Sequence, residues 1–305
     1  MPNPWAFVCA KESRNFMLRP NSPAYGCIIK VIFALVVASS SGTAPAFAAE
    51  SPWVSGHKTK ARLVSGKTSQ EGERHLAFVE IVLEPGWKTY WRAPGDAGGL
   101  PPSFDWSKST NLASADVMFP APQRFIDKSG NTIGYHDGLI LPVAIAPTND
   151  GEPVALAVDL QYGICKDVCV PIDVSLSLTI APDEADPLTP ETAQALDSVP
   201  RAQDKLRDGD PALIEAEADL GGAQPKISIA ARFPQGVTGA EAFLEAPHGL
   251  FLPIPELVGR PSADGVLTFE AALGSDVDLA ALKGKPVTVT LVGEAGSSFA
   301  TFVAK

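Results

Sequence analysis

From Lys60 onward the chain is written in short runs of alternating apolar and polar residues, each closed by glycine or proline, and this pattern points to β-structure. Examples are His75-Leu-Ala-Phe-Val-Glu-Ile-Val-Leu83, Leu139-Ile-Leu-Pro-Val-Ala-Ile145, Val154-Ala-Leu-Ala-Val-Asp-Leu160 and Val174-Ser-Leu-Ser-Leu-Thr-Ile180. A period of two sends alternate side chains to one face, so residues 49–182 are expected to form a β-sandwich. Between Ala181 and Pro211 the composition shifts to Pro, Asp, Glu and Ala, and residues 183–210 read as a linker with a short Thr-capped helix within Pro187-Leu-Thr-Pro-Glu-Thr-Ala-Gln-Ala-Leu196. Alternation returns in Leu213–Ala218, Lys226–Phe233, Gly265–Leu273 and Pro286–Val292, so residues 211–305 are expected to be a second, smaller sandwich. That segment holds no cysteine and one histidine, His248, and reads as a spacer or docking module. The fold class expected is all-β. A length of 305 residues accommodates two such domains.

The first 48 residues have a different character. Arg14, Arg19 and Lys30 precede the apolar run Val31-Ile-Phe-Ala-Leu-Val-Val-Ala38, which is far shorter than the roughly 20 residues of a membrane span. Ala46-Phe47-Ala48 then supplies the small-x-small pattern of a signal peptidase site. Residues 1–48 are therefore read as a cleavable signal peptide with the mature chain starting at Ala49, and Met17 is an alternative initiator that gives a leader of conventional length. This predicts export to the periplasm.

Cleavage would change both the charge and the cysteine count. The leader carries 4 of the 24 basic residues and 1 of the 35 acidic ones, so 20 basic and 34 acidic residues remain, a formal charge of −14. A chain this acidic lacks the Lys/Arg stripe that phosphate backbones require, which argues against nucleic acid as a partner. Cys9 and Cys27 leave with the leader, so the thiol chemistry of the mature chain rests on Cys165 and Cys169.

These two lie in Leu160-Gln-Tyr-Gly-Ile-Cys-Lys-Asp-Val-Cys-Val-Pro171. Residues four apart in a straight strand are about 13 Å apart, at roughly 3.3 Å per residue. A disulfide needs Cα atoms within about 7 Å. The chain must therefore fold back at Lys166-Asp167-Val168, as a three-residue hairpin or as one helical turn. Closing so small a ring restrains the unfolded chain little, which favours a chemical role over a stabilising one. Lys166 favours a thiolate and Asp167 opposes it. From the residues alone, three readings stay open: thiol–disulfide exchange, a structural disulfide, and a metal site. His57, His75 and His136 lack ligand spacing to the cysteines, and a two-thiolate site suits Cu(I) better than zinc.

Five ordered blocks go further: Glu84-Pro-Gly-Trp-Lys-Thr-Tyr-Trp-Arg-Ala-Pro-Gly-Asp96, Gly99-Leu-Pro-Pro-Ser-Phe-Asp-Trp106, Phe119-Pro-Ala-Pro-Gln-Arg-Phe125, Gly134-Tyr-His-Asp-Gly138 and Tyr162-Gly-Ile-Cys-Lys-Asp-Val-Cys-Val-Pro171. Together they resemble the N-terminal periplasmic domain of the DsbD thiol:disulfide interchange family, a family tied to cytochrome c biogenesis. The likeness is to the ScsB-type branch, associated with copper tolerance, because DsbD itself has a wider gap between its cysteines. The resemblance implies an immunoglobulin-like sandwich, no cofactor, and a redox role for Cys165 and Cys169, with Cys169 attacking the disulfide of a periplasmic client protein. It also implies a separate electron donor, a CcdA-like or truncated DsbD-like membrane protein, since neither a membrane conduit nor a thioredoxin-like domain follows within the sequence.

Supporting residues are Tyr162, Trp87, Tyr90, Trp91, Tyr135 and His136. The family shields its thiols with an aromatic cap loop, and Trp87–Trp91 is the candidate here, although such aromatics also serve as core or rim residues. Tyr135-His136-Asp137 is either a proton-shuttling group or an exposed turn before Gly138. Arg92 and Asp96 equally suit a surface ion pair.

Overall fold

The computed structural model describes residues 49–67, 75–127, 130–182, 187–247, 250–262 and 264–305. The expected signal peptide, with Cys9, Met17 and Cys27, lies outside the described residues, as does His248. In chain order the first strands are β1 (Val54–Gly56), β2 (Thr59–Lys67), β3 (His75–Leu83), β4 (Lys88–Tyr90), β5 (Ser103–Asp105), β6 (Leu112–Val117), β7 (Gln123–Asp127), β8 (Gly130–His136), β9 (Gly138–Pro147), β10 (Val154–Cys165) and β11 (Cys169–Ile180). Helix α1 (Pro190–Asp197) follows. Then come β12 (Arg201–Ala202), β13 (Ala212–Asp219), β14 (Lys226–Arg232), β15 (Glu241–Glu245), β16 (Glu256–Val258), β17 (Val266–Ala272), α2 (Leu279–Leu282), β18 (Pro286–Val292) and β19 (Ser297–Val303).

The alternation that suggested strands is what builds the first sandwich. One sheet has the order β1-β2-β3-β9-β6 and the other β11-β10-β4-β8-β7, with β5 also paired to β10. In β10 the residues Val154, Leu156, Val158, Leu160, Tyr162 and Ile164 are all buried, and they meet Leu63, Val79, Ile81 and Leu141 from the facing sheet. Each of these side chains contributes roughly 1.5–3 kcal/mol when removed from water, so the hairpin β10–β11 is held flat against the core along its length. The architecture is an immunoglobulin-like β-sandwich followed by a smaller one. The second pairs β12-β19-β18-β15 with β13-β14-β17-β16 around Ile227, Ile229, Phe269, Val287 and Val289.

The segment read as a linker is packed against the first sandwich. Thr189 caps α1 by accepting a hydrogen bond from the Thr192 N–H, and Leu188 and Leu196 pack on Val64, Leu76 and Phe78. The second sandwich, read as a spacer or docking module, also packs on the first. Its Phe243 and Ile254 belong to the apolar cluster of the first, with the Phe243 ring 5.8 Å from that of Trp91. Around that contact Arg92 makes a two-pronged ion pair with Glu245, at 2.6 and 2.8 Å, and Arg124 reaches Glu241 and Glu256, both at 2.7 Å. Arg92 therefore pairs across the two sandwiches, whereas the expectation was a local pair with Asp96. The Asp96 carboxylate instead accepts from the Asn131 backbone N–H and side-chain amide. Among the described residues no helix is long and apolar enough to cross a membrane.

Candidate functional site

Strands β10 and β11 pair antiparallel through twelve consecutive residue pairs, from Val154↔Ile180 to Cys165↔Cys169. Lys166, Asp167 and Val168 close the hairpin, so of the two fold-backs the sequence allowed, the hairpin is the one formed. The direction of the backbone groups follows from Gly163. Its N–H donates to the Leu100 carbonyl at 2.8 Å and its own carbonyl accepts from the Thr89 hydroxyl at 2.8 Å, both on the side away from β11. Backbone polar groups alternate sides along a strand, so those of Cys165 also point away from β11, and Cys165↔Cys169 is a non-hydrogen-bonded pair. Such pairs bring Cα atoms to about 4.5 Å and the side chains closest together. The two sulfurs are 2.9 Å apart, with the Cys169 thiol donating to Cys165. A disulfide bond is about 2.05 Å, so oxidation needs little movement.

The thiols are not equivalent. Cys169 is exposed, whereas Cys165 is half-buried on the face it shares with Gly163. Burial pushes the Cys165 thiol up, and its hydrogen bond with Cys169 does the same, while the Tyr90 hydroxyl and the charge of Lys88 pull it partly back. The Tyr90 hydroxyl lies 2.8 Å from the Cys169 sulfur. Its own titration is pushed well up, mostly by burial and then by its contacts with the two thiols. Tyr90 therefore keeps its proton at neutral pH and donates to whichever sulfur carries charge.

Strand β4 places these groups by pairing Ile164 with Thr89 and Cys165 with Lys88. The Tyr90 ring fits a slot made by two glycines. A Cβ on Gly99 would come within 2.3 Å of the ring and a Cβ on Gly163 within 2.9 Å, so any other residue there would displace the tyrosine. Lys88 is buried and hydrogen-bonds the Thr132 hydroxyl at 3.2 Å.

Of the side chains expected to support the thiols, only Tyr90 touches them. Segment Trp87–Trp91 is strand β4 with its flanks, and it does not form a loop over the thiols: Tyr90 and Trp91 are buried, and Trp87 is half-buried with its ring 5.7 Å from His57. Tyr162 points to the opposite face from Cys165, fully buried with its hydroxyl 2.9 Å from that of Thr59. Tyr135 is buried and donates to the Pro120 carbonyl at 2.8 Å. His136 pairs with Lys88, which pairs with Cys165, so it lies two strands from the thiol, roughly 10 Å at about 4.8 Å per strand. Its ring packs on Phe125 at 4.4 Å. His75 lines a cleft with Val154 and Ile180 at the far end of the hairpin. Lys166 lies over Gly86, where a Cβ would stand 3.2 Å from its ammonium. Lys88 and the two slot glycines carried no chemical motif in sequence; a glycine inside a strand signals close approach, and Gly163 is one.

Among the described residues no group of three or more His, Cys, Asp or Glu side chains is arranged to hold a metal ion.

The raised Cys165 titration has a consequence for stability. A thiol that holds its proton more tightly folded than unfolded stabilises the fold fully below the unfolded value of about 8.5 and loses that contribution as pH rises through the folded value. The reduced protein is expected to fall in Tm as pH rises above about 8.5, and less steeply as Cys165→Ala, measured by thermal denaturation of both. Equal slopes would contradict the raised titration.

Residues 60–181 match the family model described as thiol:disulfide interchange protein DsbD, N-terminal. The fold is similar to the crystal structure of the N-terminal periplasmic domain of ScsB from Proteus mirabilis, with a TM-score of 0.62 and 22% sequence identity over 85% of this chain and 99% of that one. No curated protein sequence matches.

Proposed function

We propose that this protein is a periplasmic thiol–disulfide oxidoreductase that passes electrons from a membrane donor to envelope disulfide proteins through Cys165 and Cys169, a reading supported by the match of residues 60–181 to the DsbD N-terminal family model. The observation that carries the reading is the asymmetric dithiol: two sulfurs 2.9 Å apart, one exposed and one half-buried, with a protonated tyrosine hydroxyl 2.8 Å from the exposed one.

The chemistry follows from that asymmetry. The Cys169 thiolate attacks one sulfur of a client disulfide, the client S–S bond breaks, and the other client sulfur leaves as a thiolate that takes a proton from water. Cys169 and the client are now joined by a mixed disulfide. Cys165 loses its proton and attacks the Cys169 sulfur, expelling the second client thiolate and closing the Cys165–Cys169 bond. Two electrons have moved to the client, which ends as a dithiol, and the protein ends as a disulfide. A CcdA-like or truncated DsbD-like membrane protein then returns two electrons. Tyr90 serves both steps by donating to the charged sulfur, a hydrogen bond worth about 1.5–3 kcal/mol. Export through the expected leader delivers the protein to the compartment where such disulfides form.

The test is trapping. Cys165→Ala leaves Cys169 unable to be resolved, so an envelope protein is expected to accumulate on Cys169 as a mixed disulfide, visible as a reductant-sensitive band shift. If neither Cys165→Ala nor Cys169→Ala captures any protein, the exchange reading fails. A native disulfide with a potential below about −300 mV would mark a structural bridge instead.

A further inference from the structure

We propose that the outer edge of β11 is the client-docking strand: an extended client segment pairs antiparallel with Cys169–Ser175, placing its cysteine opposite Cys169 and a basic residue, four positions earlier, opposite Asp173. This deepens the exchange reading and rests on it.

The edge is built for pairing. Strand β11 ends its sheet, with β10 on one side and no strand on the other among the described residues. Since Gly163 and Cys165 direct their backbone groups away from β11, the residues that hydrogen-bond β11 to β10 are Leu160, Tyr162 and Ile164, with Val174, Ile172 and Val170 opposite. The backbone groups of Cys169, Pro171, Asp173 and Ser175 therefore point outward. The proline sits at one of these outward positions, where its missing N–H breaks no bond to β10. Proline and aspartate also guard edges against indiscriminate pairing. Here they leave both N–H and C=O of Cys169 and Asp173 for a partner, two residues that a matched strand engages together.

The sulfur geometry selects what that partner carries. Thiol–disulfide exchange requires the attacking and leaving sulfurs on opposite sides of the central one. Cys165 lies on the β10 side of Cys169. A strand added to the β11 edge puts its directly opposite residue on the other side, in the same row of the sheet. That pair would be hydrogen-bonded, with Cα atoms about 5.5 Å apart, inside the roughly 4.4–6.8 Å Cα range of disulfides, and its Cβ atoms, about 5.5 Å apart, must close by about 1 Å for the mixed disulfide to form. The three sulfurs then stand in line across three strands, so Cys165 attacks Cys169 while the client sulfur departs outward. Antiparallel pairing supplies directly opposite residues, and parallel pairing does not.

Charge supplies the second element of recognition. On the same face of the hairpin, beginning at Gln161 and Asp173, four residues from the thiols, is a cleft of about 590 Å³ that Asp105, Lys108, Asp159 and Ser175 also line. Three carboxylates stand against one lysine, which already pairs with Asp159 at 2.5 Å. Hydrogen bonds to Ser107 and to Lys108 hold the Asp105 and Asp159 carboxyls below their usual range, so both stay ionised. Asp173 lies on the edge strand itself, exposed, four residues beyond Cys169, with one carboxylate oxygen accepting from the Gln161 side-chain amide at 2.6 Å and the other open to a partner's cation. The fitting client is a cysteine-bearing extended segment with a cationic side chain on this flank.

The probes are synthetic ten-residue peptides whose single cysteine carries a thionitrobenzoate group, so that attack by Cys169 on the peptide sulfur releases a coloured thiolate. With the reduced full-length protein at low salt, a peptide with lysine four positions before the cysteine is expected to react about tenfold faster than one with glutamate there, the effect of exchanging an attractive for a repulsive cross-strand pair. Asp173→Lys should reverse that order. N-methylation of the backbone at the position four before the cysteine should slow the wild type about tenfold, while methylation three before, where the N–H points away from β11, should leave the rate within about twofold. Equal rates for the lysine and glutamate peptides, an unreversed order, or equal effects of the two methylations would overturn docking at this edge. Oxidised glutathione separates the two levels: exchange with it but no peptide discrimination overturns the docking strand alone, and no exchange with either overturns the redox reading as well.

Discussion

A Cys169→Ala variant is expected to lose exchange with protein disulfides altogether at pH 7, and its remaining thiol is expected to alkylate at least about tenfold more slowly than Cys169 does in the Cys165→Ala variant. The reasons are access and proton affinity. Cys165 is half-buried on the face it shares with Gly163, against which the Tyr90 ring packs, whereas Cys169 is exposed, so a bulky disulfide reaches Cys169 far more readily. Burial also pushes its titration up, and each unit of that shift removes about tenfold of the reactive thiolate at neutral pH. Rates of iodoacetamide labelling on the two single-cysteine proteins, followed from pH 6 to 10, check this directly. The Cys165 curve should lie to higher pH. Similar curves, or faster labelling of Cys165, would reverse the roles assigned to the two sulfurs.

Trp91→Ala is expected to destabilise the protein by about 3–5 kcal/mol, whereas Trp91→Phe should cost far less. The indole is fully buried where the two sandwiches meet, against Phe243 and beneath the Arg92 guanidinium, which lies 4.4 Å from its ring. Truncation to alanine therefore opens a void between two cores at once. The indole N–H finds no hydrogen-bond partner among the described residues, so phenylalanine gives up no hydrogen bond and refills most of the volume. Urea denaturation of the three proteins gives the comparison. If Trp91→Phe proves as damaging as Trp91→Ala, the indole N–H has a role that its surroundings do not show. The alanine variant should also loosen the second sandwich from the first, because Arg92 holds Glu245 from a backbone position next to this ring.

Much of the fold is legible in the residues. His75–Leu83 and Pro286–Val292, read from alternation, are strands β3 and β18 to the residue. The two strands flanking the cysteines are longer than their alternating runs: Val154–Leu160 continues to Cys165, and the strand that holds Val174–Ile180 begins at Cys169. The added stretch, Gln161–Cys165 and Cys169–Asp173, contains two glycine or proline interruptions that weaken the alternating signal, although both positions are in register in the sheet. The short strands β4 and β5 gave no signal because three residues cannot display a period. The linker, similarly, reads as polar in composition, yet Leu188 and Leu196 anchor it, and two apolar residues in a polar segment are enough to dock a short helix.

The site divides along the same line. Cys165 and Cys169 announce themselves, since two cysteines so close in sequence meet whenever the chain turns between them. Tyr162, Trp91 and Tyr135 looked equally suited to a redox site, and they are core residues, because the face of a strand on which a side chain falls depends on a register that composition does not encode. Tyr90 differs from Trp91 by one position and lies on the other face.

What the sequence determined by itself is the thiol pair and the fold-back between two strands that brings it together, because alternation and a three-residue spacing are local; the structure shows that the fold-back is a hairpin with Cys165 opposite Cys169. Tertiary structure decided everything that makes the two sulfurs unequal. Tyr90 arrives from 79 residues away, through the pairing of β4 with the end of β10. The same pairing buries Cys165 and places Lys88 beside it, and the position of β11 at the end of its sheet leaves Cys169 exposed on an open edge. Long-range strand pairing sets burial and neighbours, and burial and neighbours set which thiol attacks.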